Sequence, residues 1–259
     1  MISWFIYEWV GNAFWLLVAI RLYLGFSRPV DPAQESDRDT ARRLLEAGTG
    51  DHLSFMTLWK SNRYFFHGDS YVAYRVSNGI ALTLGAPVGL DISSEFEQFA
   101  AEQGWAVAWY SVNAQFADAH PELKRLQVAE EAVLNCESVE FKGKKFQNVR
   151  TARNKAEKEG ITTRWTTWKE LDIASIARIT ALSEDWVSDK ALPEMGFTLG
   201  GLEEMMVDGT RLLLAESADG TLHGVTSWMP VYENGAIVGY VLDVMRRNCL
   251  LYTSPSPRD

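Results

Sequence analysis

Three short turn signals constrain this chain most. Asn78-Gly79, Asp219-Gly220 and Asn234-Gly235 each stand between runs rich in β-branched, aromatic and aliphatic residues. Asn-Gly and Asp-Gly readily adopt the positive backbone angles of tight hairpin turns, so the flanking runs are expected to pair antiparallel. Tyr71–Ser77 and Ile80–Gly85 form the first predicted hairpin. Arg211–Ser217, Thr221–Val231 and Ala236–Val244 read as three further antiparallel strands.

The remaining pattern surrounds these hairpins. His52–Lys60 and Tyr64–Phe66 alternate as strands, and Ser94–Gln103 reads as an amphipathic helix capped by Ser93 or Ser94 and stopped at Gly104. Trp105–Val112 is apolar enough for a central strand. Short helical pieces at Ala114–Ala119 and Pro121–Leu126 follow, then a strand at Glu130–Leu134. Further on come a strand at Thr162–Thr166, a long helix at Leu171–Ser188, and the turn Gly196–Gly201 leading into a helix at Leu202–Val207. Strands, then helix, then strand, run through twice, predict an α+β fold of two similar halves.

Between the halves lies Phe141–Gly160, a loop running into a short helix. It holds seven basic residues and one acidic residue between positions 142 and 158, in a chain of net charge −9. Such a concentration of charge in an acidic protein predicts an anionic ligand, and the segment is expected at the junction of the two halves. On a helix Arg150, Arg153 and Asn154 share one face. Val149, Ala152 and Ala156 form an apolar strip expected to seat the helix on a core. A solvated basic surface is the plainer alternative.

The ends carry other signals. Ile2–Leu24 is a mostly apolar run of 23 residues with only Glu8 and Arg21 charged, which predicts a membrane span over residues 1–26. Arg21, Arg28, Arg38, Arg42 and Arg43 follow it, so everything downstream is expected in the cytoplasm. Residues 27–50 read as a linker, Ser27–Asp39, and a short helix, Thr40–Glu46. The tail Cys249–Asp259 breaks the strand pattern and reads as a sequencing artefact, with the true C-terminus missing; Met1 is read as an internal methionine. Two cysteines argue against a disulfide scaffold, and four scattered histidines predict no metal site.

Taken together, several segments resemble the phosphatidylglycerol lysyltransferase family, over roughly residues 51–247. They are Leu53-Ser54-Phe55 through Arg63-Tyr64-Phe65-Phe66, Val72-Ala73-Tyr74-Arg75, Pro87-Val88-Gly89 and Glu130-Glu131-Ala132. Asn148-Val149-Arg150, Asn154-Lys155-Ala156 and Gly160 match the basic helix, and Ser183-Glu184-Asp185-Trp186 and Gly196-Phe197-Thr198-Leu199-Gly200 match the second half. Asp243 and Arg246, spaced Asp-x-x-Arg, resemble the family's active-site pair. Two departures stand out: Ala86 occupies a position where the family usually has an acidic residue, and the helix and strand expected after Asp-x-x-Arg are missing.

The resemblance implies tandem acetyltransferase-like (GNAT-like) domains at 51–140 and 141–248 behind the membrane helix. It implies transfer of an aminoacyl group, lysyl in the first instance, from charged tRNA to phosphatidylglycerol at the cytoplasmic membrane face. No cofactor or metal is implied beyond aminoacyl-tRNA as co-substrate. Asp243 and Arg246 are then the catalytic candidates. Lys144, Lys145, Arg150, Arg153 and Asn154 are candidates for the phosphates of lipid or tRNA acceptor end. Glu130, Glu131 and Asp185 are candidates for the amino group of the transferred residue. The absence of an Arg/Gln-x-x-Gly-x-Gly/Ala stretch counts against a coenzyme A-dependent acyltransferase, which stays open beside a peptidoglycan-type transferase and a lipid-binding module without catalysis.

Overall fold

In a computed structural model the described residues are 35–48, 50–188 and 197–248. The apolar run 2–24 and the tail 249–259 lie outside them. No helix among the described residues is long and apolar enough to cross a membrane.

The chain is a mixed α/β protein with two four-stranded sheets. Helix α1 (Glu35–Glu46) and a 3-10 turn (Ser54–Leu58) come first. Strands β1 (Arg63–His67), β2 (Ser70–Ser77) and β3 (Ile80–Thr83) then form an antiparallel meander. Helix α2 (Ser93–Glu102) crosses back so that β4 (Ala106–Ala108) joins β3 in parallel. After α3 (Ala114–Ala119) and helix α4 (Gln147–Lys158), strand β5 (Thr162–Thr167) opens the second sheet. Helices α5 (Ile173–Ser188) and α6 (Leu202–Met205) precede β6 (Arg211–Glu216), β7 (Leu222–Glu233) and β8 (Ala236–Arg247). Order β5-β6-β7-β8 is antiparallel throughout.

The Asn-Gly hairpins form as expected. Asn78 and Gly79 have φ of 50° and 75°, and Asn234 and Gly235 have 50° and 78°. Both residues of each turn therefore lie in the left-handed region that matches the twist of the strands they join.

Strand β2 explains how the halves meet. Tyr71 and Ala73 point into one core, Val72 and Tyr74 into another. The second core, with Ala81, Ile92, Phe96 and Ala100, is capped by α2. The first is shared: Phe55, Leu58, Trp59 and Tyr71 pack with Met229 of β7, and Phe197 and Val241 lie against them. A third core, Ile179, Leu182, Met205, Leu212, Leu214, Val225 and Val244, covers one face of the second sheet with α5 and α6.

Several expectations fail for identifiable reasons. His52–Lys60 is not a strand: Ser54–Leu58 is a fully buried 3-10 turn, where Asp51 Oδ1 accepts from the Leu53 N–H and the Ser54 hydroxyl and starts the turn. Helix α1 begins at Glu35, inside the stretch read as linker. Trp105–Val112 supplies only three residues of strand, at a sheet edge rather than its centre. Neither Pro121–Leu126 nor Glu130–Leu134 forms its predicted helix or strand, and Leu126, Val133 and Leu134 are exposed. Helix α4 forms as predicted, yet none of its residues is buried and Val149 stays 45 % exposed. Its apolar strip is too narrow to seat it on a core, and the seam between the halves is built from the turn 54–58, β2 and β7 instead.

Candidate active site

Strand β8 is interrupted where it matters. Thr226 opposes Met245, but Trp228 opposes Leu242, so Ser227 faces both Asp243 and Val244. This extra residue on β8 resets the alternation of side chains. In a regular strand residues three apart point to opposite faces. Here the bulge brings Asp243 onto the face that already holds Val244 and Arg246. Val244 joins the α5 core, and Arg246 meets that same helix.

Asp243 is held from two sides. The Gly200 N–H donates to its Oδ1 at 3.0 Å, and the Ser227 hydroxyl lies 3.5 Å from its Oδ2. Ser227, fully buried, also accepts from the Val244 N–H at 3.0 Å. Gly200 has no side chain because none fits: a Cβ there would collide with the Asp243 carboxylate. Burial pushes the Asp243 carboxyl up to about 6, and the nearby Glu204 charge adds to the rise, while the Gly200 N–H and Ser227 hydroxyl oppose it.

Arg246 is 6 % exposed. Its guanidinium lies over the Trp186 ring at 4.0 Å, and its Nε is 3.5 Å from the Ser183 hydroxyl. Ser183 and Trp186 stand three apart on α5, on one helical face. Burial pulls the Arg246 pKa down, although a guanidinium still carries its charge at neutral pH. The arrangement offers a proton acceptor poised near neutrality and a cation on the same sheet face. Such a pair suits removal of a proton from a hydroxyl and stabilisation of an anion.

The other candidates are spread more widely. Lys144 and Lys145 lie exposed in a 3-10 turn ahead of α4, with Lys145 Nζ 4.8 Å from the centre of the Phe146 ring. Arg150 folds back on its own loop, donating to the carbonyls of Phe141 at 2.9 Å and Gly143 at 2.8 Å. Arg153 pairs with Glu157 on the surface, and Asn154 is exposed. Glu131 meets His52 at 3.3 Å, Glu130 accepts from the Gln127 amide, and Asp185 is exposed on α5. Gly200 and Ser227 touch Asp243, and Ser183 and Trp186 touch Arg246; none of the four is among the site residues expected from the sequence. One signal was present: Ser227 is a hydroxyl inside an otherwise largely apolar strand.

The sequence profile of the family described as phosphatidylglycerol lysyltransferase, C-terminal, matches residues 41–249. An uncharacterized protein of Corynebacterium glutamicum is 52 % identical over 95 % of the chain, which spans 32 % of that protein. A phosphatidylglycerol lysyltransferase of Staphylococcus xylosus is 26 % identical over 76 % of the chain and 24 % of its own length. The solved structure of L-PGS from Bacillus licheniformis shares the fold, with a TM-score of 0.72 at 23 % identity, over 83 % of this chain and 67 % of that one. The chain thus spans a third or less of the length of these curated relatives. It belongs to the phosphatidylglycerol lysyltransferase C-terminal family.

Proposed function

We propose that this chain, as a member of that family, is the acyl-transfer part of a longer enzyme that moves an aminoacyl group, lysyl in the first instance, from charged tRNA onto phosphatidylglycerol at the cytoplasmic membrane face. The observation that carries the reading is the Asp243 carboxyl, buried beside Gly200 and Ser227 with its pKa raised to about 6, on the same face as Arg246.

In the proposed reaction a glycerol hydroxyl of the lipid attacks the carbonyl carbon of the aminoacyl ester. Asp243 takes the hydroxyl proton as the new carbon–oxygen bond forms. The bond to the tRNA ribose oxygen breaks, and the proton passes from Asp243 to that leaving oxygen. Arg246, stacked on Trp186, offers its charge to the oxyanion of the intermediate or to the lipid phosphate. No cofactor or metal enters these steps.

Lys144, Lys145, Arg150, Arg153 and Asn154 are the groups proposed to meet phosphates, contacts that position a ligand without reading its sequence. Arg150, bound to two carbonyls of its own loop, also shapes that segment. Glu130, Glu131 and Asp185 remain proposed partners for the amino group of the transferred residue, joined by Glu204, whose charge already reaches Asp243. The two four-stranded sheets support reading residues 51–140 and 141–248 as tandem acetyltransferase-like halves.

The test is lipid analysis of cells expressing the full-length protein, with Asp243→Asn and Arg246→Ala beside it. A new ninhydrin-positive phosphatidylglycerol, lost in both variants while the protein remains folded, supports the reading, and its mass identifies the amino acid. A folded, membrane-bound wild type that yields no such lipid overturns it.

A further inference from the structure

Phe197 has φ of +84°, in the left-handed region that bulky side chains avoid. Such a backbone is strained and persists only where its surroundings over-determine it. Those surroundings come from the other half of the molecule. The Arg75 guanidinium, from β2, lies 5.2 Å from the centre of the Phe197 ring, and the Tyr110 ring packs at 5.6 Å.

Arg75 is itself fixed. Its Nε donates to Asn62 Oδ1 at 2.7 Å and its Nη2 to the Lys60 carbonyl at 3.2 Å. Asn62 is fully buried, and its amide donates to the carbonyls of Met56 and Thr57, both at 3.0 Å. A continuous line of contacts therefore runs from the 3-10 turn 54–58 through Asn62 and Arg75 to Phe197. Three residues later the Gly200 N–H donates to Asp243.

We propose that Phe197 and Arg75 are positioning residues, through which the first half holds the Gly200 N–H against Asp243 and so sets the geometry and the proton affinity of that carboxyl. This rests on the assignment of Asp243 as the proton acceptor. The groups around that carboxyl are the Gly200 N–H, the Ser227 hydroxyl of β7 and Glu204 of α6, with Arg246 further along the same face of β8. Arg75 lies near enough to Glu204 to feel its charge. Loss of the clamp frees Phe197 to relax to negative φ, which carries Gly200 away. Asp243 then loses a hydrogen bond to its charged form, and its pKa rises.

The test uses the full-length protein with lysyl-tRNA and phosphatidylglycerol vesicles. Phe197→Ala and Arg75→Lys are the variants; the latter keeps the charge and loses the flat fork. A displaced reacting group costs roughly ten- to a hundredfold in rate. Both variants are expected to lower kcat by about that factor with little change in KM. The acidic limb of the pH–rate profile should move to higher pH. Phe197→Tyr, which keeps a ring in the clamp, should return the limb to its original position.

Hydrogen exchange of the peptide covering residues 198–205 gives a readout independent of activity, and faster exchange is expected in both variants. Wild-type transfer, with kcat, pH limb and exchange unchanged in both variants, overturns the clamp. A folded wild type without transfer, but with accelerated exchange in the variants, overturns the proposed reaction and keeps the clamp. If Phe197→Ala does not fold, Arg75→Lys decides alone.

Discussion

Replacing Asp243 by Asn should make the protein more stable at neutral pH. The carboxyl is raised from an ordinary 3.8 to about 6, chiefly by burial. The folded state therefore binds the proton more tightly than the unfolded chain. Between these two values the native protein carries more protons, so stability falls as pH rises through the window and levels off above it. A shift of about 2 units corresponds to roughly 3 kcal/mol at pH 7.5 and to almost nothing below pH 4. Asparagine keeps the shape, can still accept from the Gly200 N–H through its oxygen, and carries no charge to desolvate. For a domain of this size about 3 kcal/mol is on the order of 6–12 °C in Tm. Thermal and urea unfolding of both proteins at pH 4 and pH 7.5 measures the difference. The reasoning fails if the variant gains nothing at pH 7.5, or gains equally at both pH values, since the second result would place the effect in packing and not in ionisation.

Other perturbations separate the parts of the site. Gly200→Ala should cost activity at least tenfold, because its Cβ would occupy the space of the Asp243 carboxylate; wild-type rates would show that the 197–201 segment moves freely. Arg246→Lys keeps a charge but loses the flat stack on Trp186, and should lower kcat while leaving the fold intact, as read by kinetics and circular dichroism. Reversing the charge of Lys144, Lys145 and Arg153 together should weaken binding to anionic vesicles and flatten its salt dependence, with an unaltered salt slope assigning them to plain surface. Arg150→Ala should instead loosen the loop 141–143 and show as faster proteolysis there, since its guanidinium is bound to that loop.

What was legible in the sequence was local. The Asn-Gly turns specify their own backbone angles, so the hairpins β2–β3 and β7–β8 could be placed from two residues each. The long helix α5 showed through its period. What failed depended on partners distant in sequence. Glu130–Leu134 has the composition of a strand, but among the described residues no neighbouring strand offers it hydrogen bonds. His52–Lys60 alternates like a strand, yet Asp51 bonds to the next residues and winds them into a turn. The candidate pair Asp243 and Arg246 came from the resemblance. Plain strand alternation would have set them on opposite faces, because the bulge opposite Ser227 exists only in the pairing of β7 with β8. Gly200, Ser183 and Trp186 lie in segments that carry the resemblance, but their contacts with the pair arise only when α5 and the 197–201 turn pack on β8.

The core shared by the two halves has a consequence for the history of such a protein. Met229 of β7 packs among Phe55, Trp59 and Tyr71, on the opposite side of β2 from the core capped by α2. Exchanging either half for that of a distant relative would bring together two surfaces that never adapted to each other and would leave aromatic rings facing voids. Each half carries its own four-stranded sheet, yet the two are not interchangeable modules. Substitutions at Phe55, Tyr71 and Met229 must be accommodated jointly, and a chimera joined in the 141–160 segment should recover its fold only when all three positions come from one parent.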